Sequence, residues 1–155
     1  RKYGWYAASN GGKRPVHGWQ KSDGGWWFQE EDGTYPSNTW KEIDGKWYLF
    51  DPAGYMLTGW QKWQGHQYVL SEDGAMRTGW VWDNRNWYYF GNDGAAVTGW
   101  NNIDGKIYYM NDRYAALSGW LLDGKWHYFD TSTRQMLHDA WIDGYYVDSS
   151  GVWIP

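Results

Sequence analysis

Sixteen tryptophans and fourteen tyrosines in 155 residues are the side chains of this sequence best placed to do chemistry. Trp40 and Trp47 show how. Asp44-Gly45 separates Thr39-Trp40-Lys41-Glu42-Ile43 from Lys46-Trp47-Tyr48-Leu49-Phe50, and Asp-Gly between short aromatic and β-branched runs is a strong local signal for a tight β-hairpin. Pairing outward from that turn sets Ile43 opposite Lys46, Glu42 opposite Trp47, Lys41 opposite Tyr48 and Trp40 opposite Leu49. Side chains alternate along a strand, so Trp40 and Trp47 share one face while Tyr48 and Phe50 share the other. Diagonal neighbours on a sheet face are within reach of aromatic rings. Rings converging on a point offer their negative faces to a quaternary ammonium, which donates no hydrogen bond and is cheap to desolvate. A flatter exposed ring, flanked by hydrogen-bonding side chains, suits a saccharide instead. The competing role for the same rings is to be the packing surface of the fold.

Other chemistries find little support. His17, His66, His127 and His138 show neither HExxH nor paired-ligand spacing, so no metal is expected. Acidic residues fall in turns, where Asp serves the backbone, and Ser and Thr lack a nucleophile elbow. There is no phosphate loop, and with no cysteine there is no thiol nucleophile, CxxC zinc site or disulfide framework. No catalytic residue and no cofactor are therefore predicted. The net charge of −4 is spread among interspersed acids and bases, which argues against a nucleic-acid groove or an anionic membrane as partner. No apolar run reaches the roughly 18 residues of a membrane span, so no membrane insertion is expected.

The elements that would position these rings repeat. Copies open at Trp19, Trp40, Trp60, Trp80, Trp100, Trp120 and Trp141, at steps of 20 or 21 residues. Such self-similarity predicts an all-β hairpin solenoid of stacked units of about twenty residues, each burying its face on its neighbours. The turns are Asp23-Gly24, Asp44-Gly45, Gln64-Gly65, Asn84-Arg85, Asp104-Gly105, Asp123-Gly124 and Asp143-Gly144; only Asn84-Arg85 lacks glycine. Outer loops carry Gly33, Gly54, Gly74 and Gly94, but Tyr114 and Arg134 at the next two matching positions, which predicts a different shape for those two loops. Residues 1–155 read as one repeat domain, with a fading first copy at 1–18, repeats from 19, 40, 60, 80, 100 and 120, and a capping repeat at 141–155. The abrupt opening Arg1-Lys2-Tyr3-Gly4-Trp5 reads as a piece excised from a longer chain. Leu, Ile, Val and Phe together number only 22, so a large globular core is not expected. Trp and Tyr bury area yet keep a polar edge near water, which suits a thin, extended fold.

Thr-Gly-Trp, Asp-Gly-Lys-Trp-Tyr-Leu-Phe and Gly-Tyr-Met-Leu-Thr-Gly-Trp resemble the choline-binding, or cell-wall-binding, repeats of Gram-positive surface proteins and lysins, from about Val16 onward. The resemblance implies a left-handed superhelix with ligands between consecutive hairpins. It also implies site sets made of the opening Trp and second-strand Trp of one copy with the Tyr of the next: Trp19, Trp26 and Tyr48; Trp40, Trp47 and Tyr68; Trp80, Trp87 and Tyr108. A fourth set, Trp120, Trp126 and Tyr146, spans a hairpin one residue shorter between its tryptophans. Two sets are broken, with Gln67 following Trp60, and Ile107 following Trp100 with His127 in the Tyr position. The function so implied is a non-catalytic module recognising choline of teichoic acids and anchoring or targeting a parent protein at the bacterial surface, outside the cell. A glucan or other wall saccharide is the alternative ligand, with Gln67 near Trp60 and Asn101-Asn102 beside Trp100 as its polar groups.

Overall fold

Asp44 and Gly45 both adopt left-handed backbone, with φ of 53° and 80°, the conformation of a type I′ hairpin turn. The same pairing of positive angles recurs at Gln64-Gly65, Asn84-Arg85, Asp104-Gly105 and Asp143-Gly144. The computed structural model describes residues 3–4 and 17–155; the rest of the fading first copy lies outside the described residues. Sixteen strands and no helix occur among the described residues. After β1 (Tyr3–Gly4) come the hairpins β2–β3 (His17–Ser22, Gly25–Gln29), β4–β5 (Thr39–Ile43, Lys46–Phe50) and β6–β7 (Gly59–Trp63, His66–Leu70). These are followed by β8–β9 (Gly79–Asp83, Asn86–Phe90), β10–β11 (Gly99–Ile103, Lys106–Met110) and β12–β13 (Gly119–Asp123, Lys125–Phe129). The chain closes with β14 (Ala140–Ile142), β15 (Tyr145–Val147) and β16 (Trp153–Ile154). This is the predicted β-hairpin solenoid. The register in β4–β5 sets Trp40 against Leu49 and Glu42 against Trp47, as the pairing from the turn requires.

The chain divides into two compact units, Arg1–Arg77 and Thr78–Pro155. In the first, Trp19, Ile43, Tyr48 and Phe50 form a buried cluster with Phe28, Met56 and Ala75 against it. In the second, Ile103, Tyr108, Met110 and Ala116 are buried, with Trp80, Trp87, Tyr89 and Val97 packed on them. Phe50, Phe90 and Phe129, each the last residue of a second strand, are wholly buried. The scarce aliphatic and phenyl side chains are thus spent where the hairpin meets its outer loop, leaving Trp and Tyr to line the sides.

Consecutive copies are tied by one backbone bond. The amide of Met56 donates to the carbonyl of Trp26 at 2.7 Å, that of Met76 to Trp47, Ala116 to Trp87 and Met136 to Ile107, each at 2.8 Å. Most outer loops are closed the same way: Gly54 N–H donates to Asp51 O and Asp51 N–H to Tyr55 O, both at 2.8 Å.

Two expectations need correction, and a third holds by a different route. The loop at Tyr114 keeps the common shape, because Tyr114 takes φ 70° and its amide donates to Asn111 O at 2.9 Å, matching Gly54. The Asn111 side chain also accepts from the Arg113 and Ala115 amides, and such bonds offset a left-handed cost of about 1–2 kcal/mol. The loop at Arg134 does differ, but through an added residue: the bond from Arg134 N–H spans back to Asp130 O. Finally, Asp123-Gly124 is not a two-residue turn. Asp123 pairs with Lys125 inside the ladder, so Gly124 alone makes the link and the missing residue is absorbed at the tip.

Arg85 holds φ 65° at a turn position where most copies have glycine. Arg85→Gly should therefore stabilise the protein by about 0.5–1 kcal/mol, the relief of left-handed strain less the entropy glycine adds to the unfolded chain. Denaturant unfolding measures it. No gain would mean that the Trp82–Trp87 cross-strand pair, rather than the turn, sets that hairpin's stability.

Candidate functional site

The register that places each opening Trp on the face of its second-strand Trp builds a series of aromatic cages. In the first, Trp19 of β2 meets Tyr48 of β5 at 4.9 Å between ring centres, nearly edge-on. Trp19 is held in place from below, edge-on to Phe28 at 5.4 Å and stacked on Phe50 at 5.9 Å. Trp26 forms the exposed lip, with the Lys21 ammonium 5.4 Å over its ring. Trp19, Trp26 and Tyr48 share a cavity of about 320 Å³ with Lys46, Met56, Glu72 and Asp73. The Asp73 carboxyl is held below the usual carboxylate range by the Ser71 hydroxyl, the Ala75 amide and the Lys46 charge. It is therefore anionic beside the cage, and an anionic wall favours a cationic guest.

The second set brings Trp40 and Tyr68 to 5.0 Å, with Trp47 half-exposed on the face of Trp40. In the third, Trp80 lies 6.2 Å from Trp87 and 4.8 Å from Tyr108, and is backed by Tyr89 at 5.0 Å. Its cavity, about 260 Å³, is rimmed by Ser132 and Thr133. Burial raises the Tyr108 phenol above its ordinary range, opposed by a hydrogen bond with Gln135, so the ring stays neutral at physiological pH.

The fourth cage corrects its predicted tyrosine. Trp120 and Trp126 stand 6.5 Å apart, and Tyr145, not Tyr146, closes on Trp120 at 6.0 Å. Tyr146 packs on Trp141 at 5.1 Å. The last hairpin has lost two residue pairs at its turn end. Counted back from Asp148, which matches Asp51, Tyr145 occupies the place of Tyr48; setting Tyr145 in the place of Trp47 shifts the strand by one. A fourth ring, Trp153 of β16, lies 6.2 Å from Tyr145, and all four rings line a cavity of about 340 Å³.

Of the broken sets, the one at Trp100 is filled from within. His127 packs on the indole at 5.0 Å, and the indole N–H donates to Asp123 Oδ2 at 2.6 Å. Asn101 spends its amide on the carbonyls of Thr98 and Gly99, while Asn102 Oδ1 accepts from Gly105 N–H at 3.0 Å. One polar atom of each asparagine beside Trp100 is thus already bonded within its own chain. Gln67 pairs across β6–β7 with Lys62.

Sequence reasoning missed Lys46, Met56, Glu72, Asp73, Ser132, Thr133 and Trp153. Met56 had a signal: Met or Ala recurs there in Met76, Ala96, Ala116 and Met136, the residues bridging back to the second strand. Among the described residues, no group of three or more His, Asp or Glu is arranged to hold a metal.

Hairpins stacked at a short period, with three or four rings converging where consecutive copies meet, define an aromatic-cage repeat module. The chain belongs to the choline-binding repeat family, whose model matches residues 37–77, 57–98, 77–112 and 97–141. Choline binding protein F from Streptococcus pneumoniae is similar over 90% of this chain and 48% of its own, at 33% identity and a TM-score of 0.83. The autolysin LytC from Streptococcus pneumoniae is similar over 97% and 36%, at 27% identity and a TM-score of 0.69. The multimodular pneumococcal cell wall endolysin from phage Cp-1, solved in complex with choline, is similar over 79% and 38%, at 39% identity and a TM-score of 0.55. The chain thus spans about half or less of the length of these solved relatives. No curated protein matches it significantly.

Proposed function

We propose that this chain is a non-catalytic binding module that holds choline groups of wall teichoic acid in its aromatic cages and so anchors or targets a parent protein at the bacterial surface. The observation that carries the reading is the third cage, where Trp80, Trp87 and Tyr108 line a small open cavity with no charged side chain in its wall. A trimethylammonium group has little to gain there except ring faces, at about 0.5–1 kcal/mol per ring, so one cage gives an affinity on the order of millimolar. Several cages on one chain raise this by avidity on a repetitive polymer. The relative from phage Cp-1 solved with choline supports the same ligand class. The saccharide alternative loses ground at Trp100, whose neighbouring amides are already bonded.

Competition tests the reading. Choline chloride at tens of millimolar, well above the roughly millimolar affinity of one cage, should release the protein from a tertiary-amine resin and from cell walls and change its tryptophan fluorescence. Unchanged fluorescence with choline, together with a shift on adding dextran, would replace choline by a glucan.

A further inference from the structure

The repeat departs from itself at three aromatic positions of the first unit, and the three rings meet at one cavity. Trp27 stands opposite Gln20 in β2–β3, where later copies carry Tyr48, Tyr68, Tyr88, Tyr108 and His127. Tyr35 follows the last residue of its second strand at the spacing at which Met56, Met76, Ala96 and Ala116 follow theirs. Tyr55 closes its outer loop through its carbonyl, as Thr34, Ala75, Ala95, Ala115 and Gln135 close theirs. Trp27, Tyr35 and Tyr55 line a cavity of about 220 Å³ with Ser22 and Ala53, none of them a residue of any cage. Two glycines make room for the tyrosines: a Cβ on Gly54 would stand 2.8 Å from the Tyr35 ring, and one on Gly24 2.5 Å from that of Tyr55. Gly24 is not in the left-handed region, so its turn does not call for glycine, whereas the close approach of Tyr55 does. Trp27 meets Tyr35 edge-on at 5.6 Å between ring centres, and its indole N–H donates to Ser22 Oγ at 2.8 Å. Tyr35 is nonetheless 52% exposed. Packing alone does not account for a seated ring left half in solvent, and such rings mark contact surfaces.

We propose that this cavity is a binding site of a second kind, which takes one uncharged sugar ring. Its wall names the occupant. Three of the five lining residues, Ser22, Tyr35 and Tyr55, carry a hydroxyl, and none is charged. Each hydroxyl can donate and accept, and Ser22, which accepts from the Trp27 indole, keeps its own hydrogen to give. A quaternary ammonium bonds to none of these groups and would strip their water without replacing it. A sugar stacks its C–H face on a ring and returns the hydrogen bonds through its own hydroxyls. The cavity lies below the roughly 300–1,000 Å³ of drug-sized pockets, so it admits a single ring. The inference stands apart from the choline reading, since no cage residue enters it.

The test follows the Trp27 indole in the whole chain labelled with nitrogen-15, that resonance assigned with Trp27→Phe. Methyl glucoside and methyl N-acetylglucosaminide are titrated in, with and without saturating choline chloride. The Trp27 resonance should move saturably with one glycoside or both, and choline should leave that titration unchanged. Tyr35→Ala should weaken the glycoside about fivefold, the effect of one ring contact. Tyr35→Phe combined with Tyr55→Phe, which keeps both rings, should weaken it about tenfold through the lost hydrogen bonds. A Trp27 resonance that neither glycoside moves would overturn the proposal and leave the three rings as packing. Displacement of the glycoside by choline would overturn it too, by making the cavity one more cage, as would unchanged glycoside binding in the double phenylalanine variant.

Discussion

Replacing Phe50 with alanine should destabilise the first unit by about 3–5 kcal/mol, the range for deleting a fully buried phenyl ring. Phe50 is 0% exposed, and its ring is the floor on which Trp19 stacks at 5.9 Å. Ile43 and Tyr48 share the same cluster, and the extent to which the flexible Met56 beside it refills the space sets where in that range the loss falls. Against a total domain stability of about 5–15 kcal/mol, the loss is enough to melt the first unit well below the second. Chemical unfolding followed by tryptophan fluorescence should show it, with the first cage's choline response lost and that of Trp80, Trp87 and Tyr108 retained. A shift below about 1 kcal/mol would mean that the ring does not carry the packing assigned to it.

The second large effect is on binding. Trp47→Ala and Trp87→Ala should each remove about one equivalent of choline from a calorimetric titration, whereas Gln67→Ala and Ile107→Ala should leave the stoichiometry unchanged. Removing one of three rings costs about 1 kcal/mol, roughly fivefold in affinity, which takes a millimolar site out of reach of the titration. The fold should survive, because the substitution leaves the Trp87 carbonyl bonded to the Ala116 amide of the next copy, and Ile107 already fills the same position with its carbonyl bonded to Met136. Equal losses from all four substitutions would show that the rings pack and do not bind.

The strand register of Trp40 and Trp47 was legible because the Asp44-Gly45 turn and the alternation of side chains leave one solution, which the ladder reproduces. Tyr146 was misread because the capping hairpin is shortened at its turn end, and setting Tyr145 in the place of Trp47 shifts the strand by one, whereas the outer loop at Asp148 is the fixed point. The shape of the loop at Tyr114 was misjudged for a related reason: a left-handed angle favours glycine, but the Asn111 side chain can hold another residue there. At Gly54 the restriction is steric as well, since a Cβ would stand 2.8 Å from the Tyr35 ring. Lys46, Asp73 and Trp153 reach their cages only through the stacking of one copy on another, which no local pattern encodes.

The bonds from Met56 to Trp26, Met76 to Trp47, Ala116 to Trp87 and Met136 to Ile107 join one copy to the next through main-chain atoms alone, at the position whose side chain forms a cage wall. Any amino acid supplies that carbonyl. Duplication can therefore lengthen such a chain and drift can then silence or restore individual cages, one codon at a time, without disturbing the spacing of the rest. Ile107 shows a silenced position still in step. Selection on the number and placing of cages is in this way separated from selection on folding, so that a lineage can gain or lose cages without first having to rebuild the hairpins.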